Sequence, residues 1–280
     1  MMDHTEWRFD GSDGTRLYIQ EWLPHNQPSR GVVGIIHGMG EHSGRYQPVA
    51  DRLTAAGYAV LAYDQRGHGL SPGKRGHTFP MAAVTGDADA FLRHVIDRHP
   101  LLPRFLYGHS MGGNVALNYA LRYEPDIAGL VLTSPWLRLA FEPPAIRVWA
   151  GKQIARVWPS FSQSTRLKSS DLYQSPPVNP EKLADGLRHE RITVGTYIAL
   201  HAAGEWAMSN IDRLQSPLLL MHGTGDRVTS YECSGLVAEA LADRCTFRKW
   251  DVSDHEVHNG NNRDEFLQAI VEWLDHRVRT

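Results

Sequence analysis

Apolar residues in this chain fall into two alternating patterns, short continuous runs and longer stretches at helical spacing. Val32-Val33-Gly34-Ile35-Ile36 is the first continuous run, and such a run suits a strand buried on both faces of a parallel sheet. Tyr46 to Ala56 then reads as a helix stopped by Gly57, and Tyr58 to Tyr63 as a strand. The alternation continues with a helix over Ala82 to Arg98, a strand over Phe105 to Gly108, a helix over Met111 to Arg122 and a strand over Ile127 to Thr133. It resumes later with Pro217 to His222 (strand), Tyr231 to Leu241 (helix), Thr246 to Trp250 (strand) and Glu265 to Arg277 (helix). Ahead of all these, Trp7 to Phe9 and Arg16 to Trp22 flank Asp10-Gly11-Ser12-Asp13-Gly14, turn chemistry that predicts a β-hairpin. Strands and helices alternating at these lengths imply a mainly parallel sheet with helices on both faces.

The alternation breaks between Pro135 and Ser209. Its one regular pattern is helical: Ile146, Trp149, Ala150, Ile154, Val157 and Trp158 share one side, with Arg147, Lys152 and Arg156 on the other. The expected organisation is one core domain from residues 1–134 and 210–280, carrying residues 135–209 as an inserted helical cap.

Between a predicted strand and a predicted helix stands Gly108-His109-Ser110-Met111-Gly112-Gly113, a G-x-S-x-G motif. A sharp strand-to-helix turn exposes the serine and needs glycines where a side chain would collide. Serine is a weak nucleophile at neutral pH and needs a base, which an acid must orient. Asp226 follows the strand ending in His222-Gly223, and His255 follows the last strand, so both lie on the rim where strand ends place chemistry. The expected catalytic set is Ser110, Asp226 and His255. The fold class expected is the α/β-hydrolase fold. The Met111 N–H and, from His37-Gly38-Met39-Gly40, the Met39 N–H are the candidate oxyanion donors. His37 and His109 read as structural hydrogen-bonding residues. His258 stands three residues after His255 in a loop, not four apart on a helix as in a zinc motif, so no metal is expected.

Four segments resemble the monoacylglycerol lipase and lysophospholipase branch of the α/β-hydrolases. They are HGMGEHSGRY (37–46), DQRGHGLS (64–71), GHSMGG (108–113) and HEVHN (255–259). With the Asp226 loop they extend the likeness over most of the chain. The resemblance implies a mobile helical cap over an acyl tunnel, and a polar headgroup site made by Glu41, Arg45 and His258. It implies cleavage of monoacylglycerols without a cofactor. The sequence departs from the family pattern at Gly260, where a glutamate is frequent, and at Asp254, where an aromatic is frequent. Alternatives of the same chemistry are a lysophospholipase, a generalist carboxylesterase, or a cofactor-free haloperoxidase-like or carbon–carbon bond hydrolase. A dehalogenase would need an aspartate at the position of Ser110. From another class comes a ligand-binding receptor with a vestigial pocket, which has no need of a charged acid behind the histidine.

Composition changes this picture in three places. With 280 residues, a net charge of −2 and 42% apolar residues, the chain can bury a large core and gives no electrostatic reason to bind nucleic acid. Two cysteines, Cys233 and Cys245, do not indicate a disulfide framework. No signal-like or membrane-spanning run is visible, so a cytoplasmic protein is expected. From Arg138 to Lys168, however, six basic residues stand against one acid, Glu142, among Phe141, Trp149, Trp158 and Phe161. That mixture suits transient contact between the cap and an anionic lipid surface.

Overall fold

Each continuous apolar run becomes a strand with both faces covered. The computed structural model describes residues 3–25, 27–141, 143–167, 169–172, 185–251 and 253–279. An N-terminal hairpin pairs β1 (Asp3–Asp10) with β2 (Arg16–Leu23). The sheet continues through β3 (Gly31–Ile36), β4 (Tyr58–Tyr63), β5 (Arg104–His109) and β6 (Gly129–Thr133). A short antiparallel pair follows, β7 (Ser162–Ser164) with β8 (Arg191–Thr193), and then the main-sheet strands β9 (Leu218–Gly223) and β10 (Cys245–Trp250). The eight-stranded order is β1-β2-β4-β3-β5-β6-β9-β10, antiparallel at β1–β2 and β2–β4 and parallel from β4 to β10.

Helices α1 (Gln47–Ala55), α2 (Met81–Arg98) and α3 (Met111–Tyr123) lie between the early strands. Between β6 and β9 lie α4 (Ala145–Val157), a single helical turn at Ser169–Leu172 and α5 (Val194–Ser209), and α6 (Tyr231–Leu241) and α7 (Arg263–Arg279) follow. Alternate residues of each strand feed two cores. Val32 and Ile36 of β3 pack with Phe91 of α2 and Val115 of α3, whereas Val33 and Ile35 pack with Leu53 of α1 and Ile270 of α7. A side chain that is buried this way contributes about 1.5–3 kcal/mol of hydrophobic stabilisation. With both faces covered, only the strand ends remain open for chemistry.

The insertion differs from expectation in two respects. It is not wholly helical, because Ser162–Ser164 and Arg191–Thr193 pair as strands. Helix α5 lies on the core: Asn114 and Asn118 of α3 donate side-chain hydrogen bonds to the Leu200 and Ala203 carbonyls. Helix α4 crosses α5 where Gly151 faces Val194 and Ile198, and it buries none of its residues. Glu142, Lys168 and residues 173–184 of the expected cap lie outside the described residues. Among the described residues, no helix is long and apolar enough to cross a membrane.

Candidate active site

Ser110 sits between β5 and α3 with φ 52° and ψ −116°, a left-handed-side conformation that is strained for any residue with a Cβ. The turn is possible because the residues two positions to either side, Gly108 and Gly112, lack side chains. A Cβ on Gly108 would come within 2.5 Å of the Gly112 carbonyl oxygen, and one on Gly112 would strike the Ile36 carbonyl. The chain turns back at Ser110, whose N–H bonds the Thr133 carbonyl at 3.0 Å and whose own carbonyl caps Asn114 N–H at 3.1 Å. The hydroxyl is left facing a cavity.

Across that cavity, the Ser110 hydroxyl donates to His255 Nε2 at 2.9 Å. His255 Nδ1 donates in turn to Asp226 Oδ2 at 2.8 Å. Asp226 is tied down further: Oδ1 accepts the Val228 and Thr229 N–H groups at 2.7 and 3.1 Å, and Oδ2 accepts the Thr229 hydroxyl at 2.8 Å. His222 Nε2 donates to the same Oδ2 at 3.0 Å, while its Nδ1 accepts the Ser234 hydroxyl at 2.7 Å. Burial works against ionisation of Asp226, yet the charges and hydrogen bonds of His255 and His222 hold it well below the usual carboxylate range. Burial also opposes a charge on His255, but Asp226, Glu256 and Glu41 together raise its pKa. Ser134 Oγ fixes the loop by donating to the His255 carbonyl at 3.0 Å.

Met39 and Met111 flank the serine, Met111 as the first residue of α3 and Met39 in the loop after β3 that lines the cavity. Among the described residues neither N–H is hydrogen-bonded within the protein. His37 explains how the Met39 N–H is aimed. Its Nε2 accepts the Gln65 N–H at 3.0 Å, so Nδ1 carries the proton and donates to the Gly38 carbonyl at 2.7 Å. A trans peptide points its N–H away from its carbonyl, so fixing the Gly38 oxygen directs the Met39 N–H the opposite way. His109 is likewise structural, with Nδ1 on the Thr133 carbonyl at 3.1 Å. Burial, with His258 and His255 beside it, pushes its pKa well down and keeps it neutral.

Glu41, Arg45 and His258 are distributed differently from the headgroup site that the resemblance implies. Glu41 and Arg45 do line the cavity. They are also ion-paired at 2.8 Å, and Arg45 Nη2 meets Glu256 at 2.8 Å. His258 is not among the lining residues. It stacks on Tyr46 at 5.4 Å and meets His109 at 4.7 Å, with Nδ1 unpartnered among the described residues. Burial lowers its pKa. The cavity holds about 160 Å³; Met39, Trp136, Leu139, Ile192 and Tyr197 form its apolar wall, and Arg188 and Glu190 stand among its polar residues.

Two side chains bonded to the candidate site were not expected from the sequence, His222 and Glu256. His222 was visible only as the end of a strand, and nothing local shows that it shares Asp226 with His255. Glu256 lies inside the quoted HEVHN segment, but its partner Arg45 is 211 residues away.

A mainly parallel sheet whose strand ends bring a serine, a histidine and an aspartate into one hydrogen-bonded line defines an α/β-hydrolase. Comparison with known proteins agrees. A family model described as serine aminopeptidase, S33, matches residues 27–262. A Mycolicibacterium smegmatis monoacylglycerol lipase is 32% identical over 96% of this chain and 96% of its own length. A Dictyostelium discoideum abhydrolase domain-containing protein is 31% identical over 95% of this chain, which spans 28% of that longer protein. The crystal structure of the Paleococcus ferrophilus monoacylglycerol lipase superposes with a TM-score of 0.81 at 34% identity, covering 93% of this chain and 99% of that one. The chain belongs to the serine aminopeptidase S33 family of α/β-hydrolases and to its monoacylglycerol lipase-like members.

Proposed function

We propose that the protein is a serine ester hydrolase that cleaves monoacylglycerols to glycerol and fatty acid. The observation that carries this reading is the line Ser110 Oγ–His255 Nε2 and His255 Nδ1–Asp226 Oδ2, at 2.9 and 2.8 Å, at a cavity that Ser110, His255 and Met39 line. Ser110 Oγ attacks the ester carbonyl carbon while His255 takes its proton. The tetrahedral oxyanion is received by the Met39 and Met111 N–H groups. The intermediate collapses, the carbon–oxygen ester bond breaks, and His255 gives its proton to the leaving glycerol oxygen. Water, deprotonated by the same imidazole, then attacks the acyl-enzyme and releases the acid and the serine. Asp226 stays ionised throughout and stabilises the imidazolium. The substrate class is supported by the apolar wall beside Ser110 and by the relatives' named activities.

Residues 135–209 act as the lid in this reading, with α4 as the part that meets lipid. Its apolar residues point outward, Trp149 being 59% and Val157 88% exposed, and Arg147, Lys152 and Arg156 share its exposed surface. An amphipathic segment of this kind buries its apolar side at a membrane interface, and each basic residue adds about 1 kcal/mol near an anionic surface.

The test is fatty-acid release from a monoacylglycerol and from the matching lysophosphatidylcholine, with Ser110→Ala as the blank. Faster turnover of the monoacylglycerol is expected. Faster turnover of the lysophospholipid would make the protein a lysophospholipase. No release above the blank from either would end the lipid-ester reading.

A further inference from the structure

We propose that Glu256 is a positioning residue for ester hydrolysis, holding the oxyanion loop to the base loop through Arg45 and Glu41. The inference rests on the serine-hydrolase reading above and assigns a role to a carboxylate that lines the cavity but is hydrogen-bonded to Arg45 and Asn259 and not to the nucleophile.

The bonds run without a gap. Glu256 Oε2 accepts Arg45 Nη2 at 2.8 Å and Oε1 accepts Nη1 at 3.3 Å, a two-pronged pair of the kind that fixes orientation as well as distance. Arg45 Nη1 also reaches Glu41 Oε2 at 2.8 Å. Glu41 Oε1 accepts the Gly38 N–H at 2.5 Å and the Tyr46 hydroxyl at 2.7 Å. Gly38 is therefore gripped at both ends, its N–H by Glu41 and its carbonyl by His37, and the peptide between Gly38 and Met39 cannot rotate. That peptide carries the Met39 N–H. On the other side, Glu256 is bonded by Asn259 Nδ2 at 2.8 Å and its N–H bonds the Leu172 carbonyl at 2.9 Å, so the loop bearing His255 is held by the same residue.

The charge count argues that the network does more than hold two loops together. Arg45, Glu41 and Glu256 have side chains at most 5% exposed, and one cation faces two carboxylates. A single buried pair would close the two charges, and burying a further unbalanced carboxylate is costly. The net negative charge of the three lies beside His255, on which both Glu256 and Glu41 act, and His255 becomes positive when it takes the serine proton. The groups around His255 are Asp226 and His222 from the β9 side, His109 from the end of β5, Glu41 and Arg45 from the oxyanion loop, and Glu256 and His258 from its own loop. Among the neighbours that act on His255, Asp226, Glu256 and Glu41 favour the imidazolium. Removing the Glu256 charge takes away part of that support while leaving Asp226 in place.

The experiment is steady-state hydrolysis of a short p-nitrophenyl ester, which needs no headgroup site, by wild type, E256Q, E41Q and the double variant across the pH range. For E256Q, kcat is expected to fall ~10–100-fold with KM nearly unchanged, as for a misplaced catalytic group. Its acid limb should move to lower pH, because neutral His255 is then favoured. The double variant should be little worse than E41Q alone, since both act through one chain of bonds. Glu256→Asp keeps the charge but shortens the reach, so it should keep most of the acid-limb position while losing kcat. Thermal melting of each variant separates these effects from misfolding. Wild-type kcat and an unmoved acid limb in a folded E256Q would overturn the proposal, as would fully additive losses in the double variant. In both cases a competent wild type would leave the serine-hydrolase reading standing. A wild type inert toward the ester, and unlabelled by a fluorophosphonate, would overturn both.

Discussion

His222 Nε2 and His255 Nδ1 donate to the same oxygen of Asp226, at 3.0 and 2.8 Å. A carboxylate that accepts two ring N–H groups and the Thr229 hydroxyl on one oxygen is held in a single rotamer. The tautomer of His255 follows from it: Nδ1 is protonated and Nε2 is free to accept from Ser110.

Asp226→Asn should therefore act mainly on kcat. An asparagine can present an amide N–H to His255 Nδ1 and favour the wrong tautomer, which in serine hydrolases costs roughly 10⁴-fold. KM should change little. Steady-state kinetics on a monoacylglycerol check this, and a variant within tenfold of wild type would show that Asp226 does not orient the base.

Replacing His222 by phenylalanine leaves the Ser234 hydroxyl and part of Asp226 without a partner in a fully buried place. The expected loss of stability is about 1–3 kcal/mol per unsatisfied group. Urea unfolding measures it, and an unchanged midpoint would mean that the two histidines are not energetically linked through the carboxylate.

Ser110→Gly should lose ester turnover and gain stability. Glycine adopts φ 52° without the Cβ strain, which costs about 1–3 kcal/mol for other residues, and part of that gain is offset by the freer unfolded chain. A melting temperature above wild type is expected; a fall would place the strain elsewhere in the turn.

The pH dependence has a definite sign. His255 has a raised pKa, and in the proposed mechanism its neutral form is the base, so kcat/KM should rise with pH through a value above the ordinary 6.5. For stability the signs are opposite for the two partners. The raised His255 pKa contributes stability fully present below 6.5 and lost as pH climbs through the folded value. The depressed Asp226 pKa contributes stability present above 3.8 and lost as pH falls through the folded value. Activity profiles and unfolding curves across pH report both.

Trp149→Lys should weaken binding of the protein to anionic vesicles, because it replaces an exposed aromatic of α4 with a charge that cannot enter the acyl boundary. Co-sedimentation at low salt checks this. Wild type that stays in the supernatant would remove the membrane role of the lid.

Much of this was legible in the chain itself. The run Val32 to Ile36 and its successors marked strands because burial on both faces leaves no polar position, and the G-x-S-x-G turn marked Ser110 because local backbone geometry demands those glycines. The chain order of Ser110, Asp226 and His255 pointed to residues that the folded chain joins through His255, 2.9 Å from Ser110 and 2.8 Å from Asp226. The apolar spacing of α4 predicted its helix and not which way its apolar side would face, since periodicity carries no information about what lies opposite. Similarly, Glu41 and Arg45 are four residues apart and could be paired by eye, whereas Glu256 joins them from 211 residues away.

Sequence alone determined the main-sheet strands, the helices between them, the strained turn and the three side chains that the fold brings into one hydrogen-bonded line, because each depends on neighbours a few residues away or on the order of strand ends. Tertiary structure alone decided which oxygen of Asp226 is shared, how the Gly38–Met39 peptide is gripped, and that Arg45 faces Glu41 and Glu256 together. Those are properties of groups that meet only when distant loops converge at the ends of β3, β5, β9 and β10, where a hydrogen bond depends on tenths of an ångström and no local pattern records its partner.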